Sequence, residues 1–220
     1  MYGRFKMKIF FTYSHEKFLN SYLVVNEKLK EALLIDPLKL GMETISIIER
    51  HKLNLTYILF THGDKALQKE GILTTAKVYT HVSVIRSDYQ LSAENSELYE
   101  KTNFQLLNSG DGKITLAGFD VEYFAVSGLT PGAHLFKIEN AVFCGDAMIA
   151  GRIGETANIY ASQNLYKTLH TKLCTLEKEL ILFPSRGAPS SLAVELIYNH
   201  DLKVMPNRHK SPFTVEGLNM

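Results

Sequence analysis

The chain has 220 residues, 45% hydrophobic and 21% charged, enough apolar material for one full core, and 24 Lys plus Arg nearly balance 23 Asp plus Glu. A net charge of +1 without a basic stripe argues against a dedicated nucleic-acid binder. Two cysteines, Cys144 and Cys174, exclude a disulfide framework and fit a reducing cytoplasm.

The basic start (Arg4, Lys6, Lys8) leads into an apolar run that meets polar groups by Ser14. That run is too short for a signal-peptide core and reads as a first strand. No apolar run approaches the roughly 20 residues of a membrane span, so a soluble protein with no membrane partner is expected. Proline and glycine form no tract and no repeat is evident. A single domain over 1–220 is expected, with 201–220, which holds Pro206 and Pro212, as a loosely packed tail.

Segments 8–13, 21–26 and 31–36 are β-rich and separated by polar turns, which predicts an antiparallel meander. Leu38, Leu40, Ile45 and Ile48, interleaved with Glu43, Glu49 and Arg50, then predict an amphipathic helix ending near His51–Asn54. Segment 56–60 reads as a buried strand stopping at Thr61-His62-Gly63-Asp64, with a short helix over 65–70. Further strands are expected at 76–80, 113–116, 121–126, 141–144 and 179–183, and helices at 158–173 and 191–199. The Gly110-Asp111-Gly112-Lys113 stretch lacks P-loop spacing and is expected to be a hairpin turn. Strands with helices inserted once per half predict an α/β sandwich.

The segment Thr61-His62-Gly63-Asp64-Lys65-Ala66-Leu67, leaving a buried strand, has the residue types and rigid setting that metal ligation or proton transfer needs. It resembles the T-H-x-H-x-D-H motif of the metallo-β-lactamase-fold hydrolases, in their glyoxalase II-like branch. Further landmarks resemble that family in order: Asn20 to Val24; Leu34-Ile35-Asp36-Pro37; Val126 to Ala133; Phe143-Cys144-Gly145-Asp146; Gly151 to Thr156; and Phe183 to Pro189. The resemblance implies a four-layer αββα sandwich. It also assigns His62 to a first metal ligand and Asp146 to the aspartate that bridges two metals. Asp64 stands where a second histidine belongs, and Ala66, Leu67, Leu129 and Arg186 occupy positions of lost ligands.

A two-metal site needs ions about 3.5–4 Å apart with full ligand sets, so its hydrolytic chemistry is expected to be lost. The resulting expectation is a non-catalytic ligand-binding or regulatory pseudoenzyme, with no metal cofactor and a small molecule in the vestigial cleft. Arg186 is expected to supply the counter-charge to Asp146 or Asp64. The alternative is a hydrolase of thioesters or esters with one zinc, iron or manganese ion at His62, Asp64 and Asp146, where Asp64 or Asp146 orients the water. His81 and His134 are expected to be hydrogen-bonded structural residues, and Cys144 an inert buried thiol.

Overall fold

The computed structural model describes residues 7–15, 17–61, 71–72, 75, 81–86, 103–107 and 110–206. The first sheet opens as the expected meander, β1 (Met7–Ser14), β2 (Leu19–Asn26) and β3 (Glu31–Ile35), each antiparallel to the next. Helix α1 (Met42–His51) then crosses over to β4 (Asn54–Leu59), which runs parallel to β3. Strands β5 (Ser83–Arg86) and β6 (Asn103–Leu106) extend that parallel half, completing a six-stranded sheet in sequence order. The helix starts four residues later than Leu38 suggested, because Leu38 is buried from a loop and Gly41 takes the extended N-cap conformation. Lys52, in the left-handed region at φ 53°, ends it.

The second sheet holds β7 (Gly112–Leu116), β8 (Phe119–Ala125), β9 (His134–Ile138), β10 (Ala141–Gly145), β13 (Ile181–Pro184) and β14 (Ser190–Ser191), in the order β14-β13-β10-β9-β8-β7. Between β10 and β13 lie the two-stranded ribbon β11 (Met148–Ile149) and β12 (Arg152–Ile153) and helix α2 (Ile159–Thr168), which continues as a π-helical turn over Leu169–Leu173. Helices α3 (Leu192–Tyr198) and α4 (His200–Lys203) follow.

Strand periodicity explains the layering. Tyr22, Val24, Leu33 and Ile35 alternate with Leu23, Val25, Ala32 and Leu34; the first set meets Phe119, Val121, Phe136 and Phe143 of the second sheet, and the second set meets Ile48 of α1. On the second sheet Val142 and Cys144 point the other way, into Leu165, Leu169 and Leu173 of α2. Helix, sheet, sheet and helix therefore stack as four layers, and a strand such as β10, buried on both faces, reads as an unbroken apolar run. Full burial of Phe143 alone contributes about 2–3 kcal/mol.

One expectation fares differently. Gly110-Asp111-Gly112 does not turn a hairpin: β6 and β7 belong to opposite sheets, so this stretch lies on the crossover between them. Asp111 anchors it by accepting from Ala125 N (2.9 Å) and Lys172 Nζ (2.6 Å). The segment from Asp201 begins packed, since Leu202 is buried and its carbonyl meets His170 Nε2 at 2.7 Å. The strand expected at 76–80 and the helix at 65–70 lie outside the described residues, as do 207–220.

Candidate functional site

Four strand exits of the two sheets converge at one end of the sandwich, and Asp36, at the exit of β3, ties two of the other three together. Its Oδ1 accepts from Thr61 N (2.8 Å), and its Oδ2 accepts from Thr61 Oγ1 (2.6 Å) and Ser185 Oγ (3.0 Å). Thr61 immediately precedes His62, and Ser185 immediately precedes Arg186. Asp36 itself sits at φ 49°, a conformation that Asp tolerates better than most residues, and it is steadied by its N–H on Leu59 O and by Ser21 Oγ on its own carbonyl.

The fourth exit is Gly145, directly before Asp146. A Cβ there would stand 2.2 Å from Thr61 Oγ1, and the residue has φ 56°, so only glycine lets β10 close on the end of β4. Ser185 N donates to Gly145 O at 2.9 Å, joining the same exit to β13. The loop carrying Arg186 is fixed from the other side by Asn20, whose Nδ2 donates to Pro184 O (2.9 Å) and Gly187 O (2.7 Å) and whose N–H donates to Ser185 O (2.8 Å). Tyr22 OH donates to Pro184 O at 2.6 Å.

On this framework Arg186 Nε lies 3.6 Å from Asp146 Oδ1, an ion pair whose members are half and one-third exposed. Arg186 Nη1 also donates to Lys17 O at 3.4 Å. Asp146 borders a cleft of about 640 Å³ between the Gly128–Pro131 loop, residues 155–158 and the first turns of α2. Leu129 lies in its wall. The loop is pressed onto α2 at Gly128, where φ is 95° and a Cβ would sit 2.1 Å from Ala161 O. Behind the cleft, the buried Glu195 accepts from Gly151 N, Asn199 Nδ2 and Ser190 Oγ, holding the ribbon that follows Asp146 against α3.

Of the residues singled out from sequence, Asp146, Leu129 and Arg186 are brought together at this end of the fold; His62, Asp64, Ala66 and Leu67 lie outside the described residues. Leu129 has no donor atom, and Arg186 offers only N–H groups and positive charge, so these two positions do not fit a metal ion. Among the described residues no cluster of three or more His, Cys, Asp or Glu could hold one. His134 is buried with Nδ1 3.0 Å from Gly132 O and Nε2 3.2 Å from Gly110 O, so both nitrogens face main-chain carbonyls. The exposed His81 places Nε2 2.9 Å from Asn54 Oδ1.

Sequence reasoning passed over Asp36, Asn20 and Ser185 as functional parts, although each lies inside a recognised landmark. The available signal was a charged residue directly after the buried strand β3. Cys144, by contrast, is the inert thiol expected: burial pushes it up to about 12. Because the unfolded thiol ionises near 9 and the folded one does not, stability falls as pH rises from about 9 to about 12, by at most about 1.4 kcal/mol per pH unit. Urea melts of the protein and of Cys144→Ala across that range are expected to show a steeper decline in the parent.

Two facing six-stranded sheets with helices outside, and an acidic strand exit over a cleft, define a four-layer αββα scaffold. No protein-family model matches the chain. It is 33% identical over 171 residues to an uncharacterized protein of Treponema pallidum, covering 78% of this chain and 85% of that one. It is 27% identical over 182 residues to the hydroxyacylglutathione hydrolase GloC of Haemophilus influenzae, covering 76% and 84%. Among solved structures, that of ETHE1 from Myxococcus xanthus superposes with a TM-score of 0.72 at 22% identity, over 88% of this chain and 84% of that one. The chain has the metallo-β-lactamase fold that these structures share.

No helix among the described residues is long and apolar enough to cross a membrane.

Proposed function

We propose that this chain is a ligand-binding or regulatory protein of this fold in which an internal cation has replaced the catalytic metals. The observation that carries the reading is the 3.6 Å approach of Arg186 Nε to Asp146 Oδ1. A carboxylate bordering a cleft is favoured by a nearby positive charge, and a guanidinium is permanently charged and shaped for carboxylates. With Arg186 there, Asp146 has beside it a permanent positive charge of the kind that a metal ion would otherwise supply. Leu129 adds an apolar wall where the family resemblance puts a nitrogen ligand.

The pair is half-exposed, so its expected worth is small, about 0.5–1 kcal/mol. Arg186→Ala is expected to unfold at lower urea by that amount, and added zinc or manganese is expected to restore part of the loss by occupying the vacated counter-charge position. Equal stability of parent and variant, with no response of the variant to either ion, is the result that defeats the reading.

A second reading is favoured by the hydrolase among the relatives: one metal ion at His62, Asp64 and Asp146, polarising a thioester or ester. It predicts activity and stability that both fall on chelation, whereas the metal-free reading predicts indifference.

A further inference from the structure

Between the loop that borders the cleft and the crossover that joins the two sheets lies a buried histidine whose two ring nitrogens both face oxygen. His134 is 2% exposed, with Nδ1 3.0 Å from Gly132 O and Nε2 3.2 Å from Gly110 O. A neutral imidazole has one N–H and one lone pair, so it donates to one of these carbonyls and turns its lone pair on the other. Only the imidazolium donates to both. Neither partner can adapt, because a main-chain carbonyl accepts and never donates. The backbone of His134 is pinned separately, its N–H donating to Thr61 O at 2.7 Å, so the ring bonds are the ones that protonation changes.

We infer that His134 is a proton-controlled staple: as an imidazolium it ties the 128–133 loop to the 110–111 crossover, and on losing its proton it releases one of the two. That loop carries Leu129 and Pro131 of the cleft wall, so the state of the staple sets how firmly the wall is held. Burial opposes the charged form. Against burial stand the two carbonyl acceptors and the aromatic ring of Tyr123, 5.6 Å away between centroids, which favours a cation. The charged groups that face the ring from the packed elements are Asp111, next to Gly110 on the crossover, and Lys172, which reaches it through its 2.6 Å bond to Asp111 Oδ1. Burial pushes the Asp111 carboxyl up, but bonds from Lys172 and Ala125 N together with the positive charges of Lys172 and His134 outweigh this and hold it below the usual carboxylate range. From β8 comes the Tyr123 phenol; Thr61 and Phe136, on β4's exit and on β9, do not titrate near neutral pH. Histidine is the side chain whose charge changes under physiological conditions, which makes this staple adjustable. The inference concerns the loop alone and stands whether Arg186 or an ion faces Asp146.

Ring-nitrogen chemical shifts of the histidine-labelled full chain, followed between about pH 5 and about pH 8, distinguish an imidazolium from either neutral tautomer. The His134 ring, assigned through its own backbone, is expected to pass from imidazolium to a neutral tautomer in that window. The amide shifts of Gly110, Asp111, Gly132 and Ala133 are expected to move with the same midpoint, and exchange protection of the Ala133 amide to fall at least about threefold across it. In His134→Gln, which keeps a donor but cannot gain a proton, those amides are expected to lose their titration. A ring that keeps one protonation state throughout, loop and crossover amides that do not follow the ring, or the same amide titration in His134→Gln would overturn the inference. If the glutamine variant does not fold, agreement or disagreement of the ring and amide midpoints in the parent decides alone.

Discussion

Asp36→Ala is expected to cost about 3–5 kcal/mol of folding stability, the largest loss of any single polar substitution at this end of the molecule. The carboxylate receives three bonds, from Thr61 N, Thr61 Oγ1 and Ser185 Oγ, at 2.6–3.0 Å. Thr61 and Ser185 are both almost wholly buried, so water does not replace the lost acceptor. Alanine also pays more than aspartate for the left-handed backbone at φ 49°. Asp36→Asn keeps the backbone tolerance and one acceptor but sets an NH2 against a donor, and is expected to lose about half as much. Urea unfolding at constant m-value measures both. A loss under 1 kcal/mol for the alanine variant would show that the strand exits hold together without Asp36. Because Thr61 precedes His62 and Ser185 precedes Arg186, the same substitution is expected to loosen the cleft well below the melting temperature.

Gly128→Ala is expected to be about as damaging, at roughly 3–5 kcal/mol, or to prevent folding at 37 °C. The added methyl would lie 2.1 Å from Ala161 O and 2.6 Å from Leu165 N, both backbone atoms of α2, and the residue already sits at φ 95°. A helix backbone cannot yield as a side-chain tip can, so the loop that carries Leu129 must lift away from α2. Thermal unfolding gives the magnitude, and amide shifts confined to residues 128–133 and 159–165 give the location. Unchanged melting would mean that loop and helix are not in contact in solution.

Much of the fold was legible because both faces of the inner strands are apolar and alternate between two cores, as in β2, β3 and β10. The short β9, interrupted by Lys137, and β5 gave no such run, since each is only four or five residues long and takes its place from neighbouring strands. The Gly110–Gly112 turn looked local because its residues are turn formers; the fact that β6 and β7 lie in different sheets is a long-range fact with no local signature. At the site, the landmark resemblance named Asp146, Leu129 and Arg186 one by one. Their proximity, and the dependence of their loops on Asp36 and Asn20, comes from contacts between residues up to 167 positions apart, which periodicity does not encode.

The central claim is that a guanidinium has taken the place of the metals, and metal stoichiometry tests it most directly. Elemental mass spectrometry on untagged protein, purified without chelator and offered zinc, iron and manganese in turn, is expected to give a ratio near zero for each. About one ion per chain, retained through gel filtration and lost in His62→Ala, would contradict the account and establish a metal centre in this cleft.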